Sequence, residues 1–279
     1  TWANNVGVSF GLYNRVNVNV DFYHKKTTNM LMLVPQSYAI TGVGNRWDNI
    51  GAMMNRGVEI AIDGDVIRTK DFTWNLSANV SYNKNKLLEL YNGVEEYVNS
   101  TTGLKYVVGH SVREYFMNRY AGVNPANGDA LWYTADGELT TEFREEDKVM
   151  TGKSFDSPWV GGFGTSLMWK GLSLSAQFSW MAKRYVMNND RFFEESNGLY
   201  SAYNQSKRLL YDRWKKPGDI TDIPRYGVTA QLDDRFLENS SFLRLKNLTL
   251  AYAFPQSLLK KTNFFTSARV YLQGQNLLT

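Results

Sequence analysis

The amino-acid sequence predicts an all-β fold, specifically an antiparallel transmembrane β-barrel. From Phe72 to Tyr82, apolar and polar side chains alternate without a break. A period of two is typical of a β-strand with one apolar face. A strand of this length, tilted by roughly 35 to 45°, rises about 25 to 30 Å, which matches the apolar band of an outer-membrane barrel. A half-buried strand of a soluble β-sandwich alternates in the same way, so this strand leaves both folds open.

The lengths of the connections favour the barrel. Strand-like segments are separated by connections that are short and long in turn: residues 14–15, 28–52, 68–71, 84–104, 123–129, 135–158, 170–171, 187–240 and 255–263. An outer-membrane barrel has short periplasmic turns at one end and long extracellular loops at the other. A soluble sandwich has no reason to keep that order. These connections predict about ten strands.

The polar faces of the strands also favour a barrel. They carry mostly Asn, Ser, Thr and Gly, with fewer Lys and Glu than a solvent-exposed sheet usually has. Such a face suits a wide, water-filled lumen. We therefore expect the odd-numbered residues between Thr73 and Asn79, and likewise between Ser173 and Gln177, to face the lumen while their even-numbered neighbours face lipid.

Four hairpins account for the regular part of the chain. The first runs from Val6 to Phe22 with its turn at Asn14-Arg15, and the second from Met53 to Asn83 with its turn near residues 68–71. The third, Trp159 to Tyr185, turns at Lys170-Gly171. The fourth runs from Phe242 to Gln275, and because Arg244 and Lys246 share a face with apolar residues, we expect a bulge that shifts its register.

Two further segments are less regular. Tyr106 to Tyr120 is predicted to be a strand that leads into a turn at Asn124 to Gly128, with Leu131 to Tyr133 starting the return. A short helix is expected within Ser206 to Trp214.

Composition excludes several classes of protein. Hydrophobic residues make up 43% of the 279 residues and the mean hydropathy is −0.40, yet no apolar run approaches the ~18 residues of a spanning helix. The absence of cysteine excludes thiol chemistry and disulfides. The net charge of +4 is scattered without a basic stripe, so nucleic-acid binding is not supported. The first residues contain no signal peptide, so either it was removed or this is an internal piece.

Three segments of the sequence carry a resemblance to one known protein family. Asn49 to Ile60 is similar to the family's N-x-G-x-M-x-N-x-G-x-E stretch, and Trp214 to Arg225 to its W-x-x-P-x-x-T-D-I-P-R loop. Ser241 to Tyr252, followed by 269–271 and 275–278, resembles its F-L-R-L-K-N-x-x-L-x-Y and N-L ending. In these segments, and in their order and spacing, the chain resembles the SusC/RagA family of TonB-dependent outer-membrane transporters.

The resemblance implies that residues 1–279 are a C-terminal portion of such a barrel, about ten strands of 22, without the plug domain and the N-terminal strands. It implies TonB-dependent uptake of a glycan oligosaccharide or a peptide across the outer membrane of a Gram-negative bacterium, with a SusD-like surface lipoprotein and with TonB as partners. The chain is not expected to be an enzyme. A passive porin and a soluble β-rich glycan-binding protein are the alternatives. Because unpaired strand edges are costly in lipid, we expect the first and last strands to pair with protein outside these residues. Residues 1–279 alone should therefore form an open, curved sheet with edges at Val6 to Tyr13 and at Ala268 to Gln275.

Candidate site residues are few. His24 and His110 lie on different elements without a carboxylate pattern, so catalytic and metal sites, and any cofactor, are not expected. Asp219 and Asp222 suit a solvated loop better than a cation site. Aromatic loop residues could stack on sugars or pack against a peptide, the alternative being a membrane-interface belt or the core of a loop. These candidate substrate-binding residues are Tyr38, Trp47, Phe192, Phe193, Tyr200, Tyr203, Trp214 and Tyr226.

Overall fold

The central element is an eight-stranded antiparallel sheet. The computed structural model describes residues 1–279 apart from positions 36, 37, 39–41, 43, 50, 99–104 and 263. Each long strand is hydrogen-bonded to the next long strand in the chain. The strands are β1 (Trp2–Leu12), β2 (Val16–Thr28), β3 (Ala52–Arg68), β4 (Phe72–Glu89), β5 (Trp159–Trp169), β6 (Leu172–Ala182), β7 (Phe242–Ala253) and β8 (Arg269–Leu278).

Strand register collects the apolar side chains on one face of this sheet. Tyr82 of β4 lies opposite Val58 of β3 and Trp159 of β5, while Phe72, at the other end of the alternating stretch, lies opposite Trp169. Aromatic rings therefore bound the apolar face at both ends, as they do in membrane barrels. The predicted alternation holds along β4, since Ser77 and its odd-numbered neighbours lie on the opposite, polar face.

The turns and the predicted bulge follow from local sequence. Lys170 and Gly171 both have positive φ, 46° and 92°, which is the type I′ geometry that matches the twist of a tight hairpin. In β7, Asn247 lies opposite Gln177 but Leu245 lies opposite Phe178, so Lys246 is the extra residue. The expectation of a bulge is confirmed.

The prediction of ten strands is wrong, because the described residues form eight strands of the main sheet. The predicted strand at Tyr106 to Tyr120, the turn at 124–128 and the return at Leu131 lie within one long connection, and β4 pairs directly with β5. Their strands are too short to cross a membrane, which takes about 9 to 11 residues. The predicted polar connection at 84–104 begins later than expected, since β4 continues to Glu89, and its residues 99–104 lie outside the described residues.

With eight strands the alternation of connections becomes stricter. Short turns at 13–15, 69–71 and 170–171, and a longer one at 254–268, lie at one end of the sheet. Long loops at 29–51, 90–158 and 183–241 lie at the other. This arrangement is the one that places every long loop on the same side of a membrane.

The loops contain small sheets and short helices. Two or three short strands pair in each sheet: Leu31–Pro35 with Asn45–Asn49, Glu96–Val98 with Lys105–Val107, Glu114–Met117 with Val149–Ser154, Tyr185–Met187 with Leu237–Asn239, and Arg119–Val123 with Ala130–Tyr133 and Leu139–Thr140. Among the described residues, the helices are Asn189–Glu194, Arg208–Tyr211, which lies in the predicted helical stretch, and Gln256–Leu259, with 3-10 turns at Tyr91–Gly93, Glu145–Asp147, Asp234–Phe236 and Lys260–Thr262.

The sheet is open at both edges. Within the described part of the chain β1 pairs only with β2, and β8 pairs only with β7, which confirms the expected edges. Large apolar side chains on the apolar face are exposed, among them Val6 at 65% and Leu272 at 75%. Among the described residues, no helix has the length and apolar character needed to cross a membrane.

Candidate functional site

The polar face carries a ladder of amide and hydroxyl groups. The Tyr23 hydroxyl donates to Asn83 Oδ1 at 2.9 Å, and Asn85 donates to Asn55 Oδ1 at 3.1 Å across the neighbouring strands. Further along the sheet, Asn247 donates to Gln177 at 3.4 Å. These side chains satisfy one another and still present polar atoms on the surface of the polar face.

A row of carboxylates lies on the polar face of β2 and β3. Asp21 lies directly opposite Glu59, and Asp63 and Asp65 follow on the same face of β3. Ser81 donates to Glu59, and Asn75 Nδ2 lies 3.3 Å from an oxygen of both Asp63 and Asp65. Asp65 also forms an ion pair with Arg68 at 3.6 Å, whereas Asp21, Glu59 and Asp63 form none with another described residue. This part of the polar face therefore carries negative charge.

Two openings border the polar face where the long loops begin. A polar cleft of about 550 Å³ is lined by Asn83, Asn85, Ser111, Lys153, Asp156 and Lys183, among others. An apolar pocket of about 330 Å³ is lined by Met30, Leu33, Trp47, Met53, Leu87 and Tyr106, among others. Asn85 and Leu87 are successive residues on the same face of β4, so the two openings are neighbours.

The two longest loops, 90–158 and 183–241, fold against each other, and we call this unit the loop platform. Its core contains Trp132 and Phe236, which are 4% and 1% exposed. The Trp132 indole donates to the fully buried Asp233 at 2.8 Å, and Arg235 Nε donates to the same carboxylate at 3.1 Å. Burial raises the pKa of Asp233, although the Arg235 charge and the Trp132 hydrogen bond oppose the shift. The loops are thus joined by a polar core.

A second network joins helix Arg208–Tyr211 to the following loop. Arg208 donates to both oxygens of Glu195, at 2.7 and 2.9 Å, and to both oxygens of Asp222, at 2.6 and 2.8 Å. Arg191 binds the same two carboxylates at 3.0 and 3.2 Å. Hydrogen bonding to Asp222 raises the pKa of Arg208 despite burial. Burial opposes ionisation of Asp222, but the hydrogen bond and charge of Arg208, with a smaller effect of Arg191, hold its pKa below 3.8.

A third contact, which we call the loop clasp, involves the segment from Trp214 to Arg225. The indole of Trp214 donates to the carbonyl oxygen of Pro125 at 3.1 Å and packs on Gly128. The side chain of Arg225 donates to Asp129 at 2.9 Å, and its backbone N–H donates to Gly128 at 2.8 Å. The segment that resembles the family's W-x-x-P loop therefore fastens one loop to the other.

The two aspartates considered for a cation site are occupied by protein donors. Backbone N–H groups of Lys215 and Lys216 each lie 3.0 Å from Asp219 Oδ2, and these hydrogen bonds lower the pKa of Asp219. Asp222 is held by Arg208. His110 Nδ1 lies 3.0 Å from Glu114. Within the described residues, no group of His, Asp and Glu could hold a metal ion.

The structure divides the eight predicted aromatic residues into two groups. Phe192, Phe193 and Tyr200 pack on one another, with ring centroids 4.7 to 6.1 Å apart, and Phe192 also packs edge-on against Phe236. Phe192, Tyr200 and Trp214 are partly buried in the platform, whereas Phe193 is 38% exposed at its surface. The remaining four are exposed, at 73, 62, 69 and 72%: Tyr38, Trp47, Tyr203 and Tyr226. Contact with substrate stays a prediction for all eight.

An exposed apolar patch on the platform was not predicted from the sequence. Leu210, Tyr211 and Ile220 are 62, 70 and 96% exposed. The Thr221 hydroxyl donates to the carbonyl oxygen of Asp212. This hydrogen bond brings together the segments that carry Tyr211 and Ile220, which directly precede Asp212 and Thr221. The local sequence does not show whether these side chains are exposed or buried in the core of the loop. Ile220, for example, is a single apolar residue between Asp219 and Thr221, which gives no periodic pattern.

The sheet, with one apolar face between aromatic belts and one polar face, defines a segment of an outer-membrane β-barrel. Residues 1–277 match the family described as TonB dependent receptor-like, beta-barrel. The chain therefore belongs to the TonB-dependent receptor family. Its predicted location in the outer membrane and its resemblance to SusC/RagA proteins are confirmed, and the soluble alternative is excluded. Because this is a receptor family, the prediction that the chain is not an enzyme is also confirmed.

Known relatives agree along nearly the whole chain. TonB-dependent receptor P3 of Formosa agariphila is 29% identical over 98% of the chain, and TonB-dependent receptor SusC of Bacteroides thetaiotaomicron is 28% identical over 99%. Two structures of the RagAB peptide transporter are 37% identical over 99% of the chain, with TM-scores of 0.88 and, for the open-open state, 0.90. The chain spans 28 to 31% of the length of these proteins.

Proposed function

We propose that the whole protein containing this segment is a TonB-dependent importer of the outer membrane. It takes up a peptide or a glycan oligosaccharide and works with a SusD-like surface lipoprotein and with TonB. The observation that carries the proposal is the match to the RagAB peptide importer, at 37% identity and a TM-score of 0.90 over 99% of the chain. The polar face would line the path, because its amide and hydroxyl groups can hydrogen-bond a polar substrate in passage.

A peptide is the first candidate substrate. The polar cleft and the apolar pocket lie side by side at the end of the polar face, so one ligand with both polar and apolar groups could contact both. The carboxylates Asp21, Glu59 and Asp63, which form no ion pair with another described residue, would attract ammonium or guanidinium groups, which peptides carry and neutral glycans lack.

A glycan oligosaccharide is the second candidate. The 28% identity to SusC and the exposed rings of Trp47 and Tyr203 support it, since aromatic faces can pack against sugar rings. The two candidates differ in charge preference. A peptide importer with this wall should favour basic over acidic peptides, whereas a neutral glycan should be indifferent to the carboxylates.

Growth of a strain that depends on the full-length protein tests the proposal. Cells are supplied with a mixture of peptides or of oligosaccharides as the required nutrient, with and without the TonB gene. Active import predicts that uptake is lost without TonB while the amount of barrel in the membrane is unchanged. Uptake that continues without TonB would identify a passive pore. Uptake of oligosaccharides but not of peptides would identify a glycan as the substrate.

A further inference from the structure

Cationic side chains form a row on the apolar face of the sheet, at the end where the long loops begin. His24 of β2 lies opposite Arg56 of β3, and Arg56 lies opposite Lys84 of β4. Lys26 and Lys86 point to the same face one step further along their strands. Adjacent strands are about 4.8 Å apart, so the row spans about 10 Å. We call these five residues the basic row.

The basic row lies just beyond the lipid-facing band. On the side away from the long loops, the next residues on the same face are Phe22 of β2, Val58 of β3 and Tyr82 of β4. The Tyr82 ring packs against Trp159 with centroids 4.6 Å apart. Aromatic residues of this kind mark the membrane interface. Two residues along a strand rise about 7 Å, which brings the basic row to the depth of the outer-leaflet headgroups.

The acidic side chains of this part of the sheet are confined to the polar face. The apolar face of β1, β2 and β4 carries no Asp or Glu, and neither does that of β3 between residues 54 and 64. Asp21, Glu59 and Asp63 all lie on the polar face. None of the five residues of the basic row makes an ion pair with another described residue. The row is therefore an uncompensated positive surface turned toward lipid.

A groove runs along the same surface. It has a volume of about 510 Å³ and its lining includes Phe22, His24, Met54, Arg56, Val58 and Tyr82. The rest of its lining is aliphatic and aromatic: Phe22, Val58 and Tyr82 lie on one side of the imidazole and guanidinium groups, and Met54 lies on the loop side. This arrangement matches an amphiphile with an anionic head and an acyl body, because the phosphate would meet the cations while the chain continues down the apolar face.

We propose that the basic row and this groove form a binding site for a phosphorylated lipid of the outer leaflet. Arg56, at the centre of the row, donates a bidentate pair of hydrogen bonds to a phosphate. Lys84 and Lys26 supply charge from either side. The lipid occupies the outer wall of the barrel, where Lys84 also borders the polar cleft, and fixes the height of the barrel in the membrane at the side where the loops emerge.

Native mass spectrometry of the full-length receptor in detergent tests this site. The probes are lipid A and its dephosphorylated form, which share acyl chains and differ in phosphate. We expect the wild type to retain lipid A preferentially, and Arg56→Gln and Lys84→Gln each to weaken retention about fivefold. Lys25→Gln is the matched control, because Lys25 carries the same charge at the same height on the polar face.

Folding of each variant is checked by the heat-modifiable mobility of the barrel in gel electrophoresis. If Arg56→Gln assembles poorly, Arg56→Lys, which keeps the positive charge, is used in its place. Retention of lipid A by Arg56→Lys above that of Lys84→Gln would support the site. Equal retention of the two lipids by the wild type would overturn it, as would a loss on Lys25→Gln as large as that on Lys84→Gln.

Discussion

The indole ring of Trp214 lies against the backbone of Gly128, so closely that a Cβ at position 128 would fall 2.5 Å from indole Cδ2. The two residues belong to different long loops, and the contact is reinforced by Arg225, which donates to Asp129. A substrate-binding role predicted for Trp214 would compete with this packing. The geometry instead favours a role in holding the loop platform together.

Gly128→Ala should open the loop clasp. The new methyl group would overlap the Trp214 ring, and overpacking of this kind costs about 1 to 3 kcal/mol. Gly137→Ala is the matched control, because Gly137 also has positive φ, 94° against 77°, but has nothing within 4 Å of its Cβ position. Trypsin cleavage within 183–241, in outer membranes that contain the full-length protein, should increase for Gly128→Ala alone. If both variants were cleaved equally, the cause would be backbone strain at a residue with positive φ rather than overlap with the Trp214 ring.

Arg208→Lys should loosen the platform although it keeps the charge. A lysine ammonium cannot make the paired hydrogen bonds by which Arg208 holds Glu195 and Asp222. Glu195 is 5% exposed in its side chain and would keep only Arg191, so we expect a loss of about 2 kcal/mol in local stability. Hydrogen exchange of residues 189–211 measures it. Arg213→Lys, which removes only a contact with the exposed Tyr226 ring, is the control and should leave exchange unchanged.

The same network predicts sensitivity to acid. The pKa of Asp222 is lower in the folded protein than its ordinary value of 3.8, so its contribution to stability is complete above 3.8 and is lost as the pH falls through the lower folded value. Pepsin cleavage of the platform should therefore increase below pH 3.8. Asp222→Asn provides the reference at each pH, since it cancels the pH dependence of pepsin itself. The variant and the wild type should converge as the pH falls, and a constant difference would contradict the assignment.

The sequence alone was sufficient to predict the strands that form the wall of the barrel. Unbroken alternation between Phe72 and Tyr82 determines both the strand and its faces, because a period of two is a local property. The bulge at Lys246 was also readable, since two cations on an apolar face require a shift of register. Membership of the family rested on three short segments whose order was preserved.

The loop platform could not be predicted in the same way. Tyr106 and Phe116 have high strand propensity, but their strands find partners in the loops, which depends on contacts distant in sequence. The interior position of Phe192 and Trp214, and the exposure of Ile220, depend on how two loops meet. Period and composition carry no signal for such contacts.

The exposed patch of Leu210, Tyr211 and Ile220 is the surface on which we expect the SusD-like lipoprotein to dock. Exposed apolar side chains clustered on one loop are typical of protein interfaces. Tyr211→Ser combined with Ile220→Ser should reduce co-purification of the lipoprotein at least tenfold, the loss of about 1.4 kcal/mol or more that a contact residue contributes. Tyr13→Ser, at the opposite end of the sheet and 91% exposed, is the control. Unchanged co-purification would exclude this patch from the interface.

Leu76→Arg and Ser77→Arg test the orientation of the whole wall. Leu76 lies midway between Phe72 and Tyr82 on the apolar face, opposite Thr165, and an arginine at mid-membrane on this face costs roughly 2 to 4 kcal/mol.

Ser77 lies one residue away on the polar face, opposite Asp63, so an arginine there would remain in water and gain an anionic partner. We expect Leu76→Arg to lower the yield of heat-modifiable, folded full-length barrel in outer membranes, and Ser77→Arg to leave the yield near that of the wild type. If both substitutions lowered the yield to the same extent, the assignment of the apolar face to lipid would be wrong, because the cost of a buried charge depends on which face carries it.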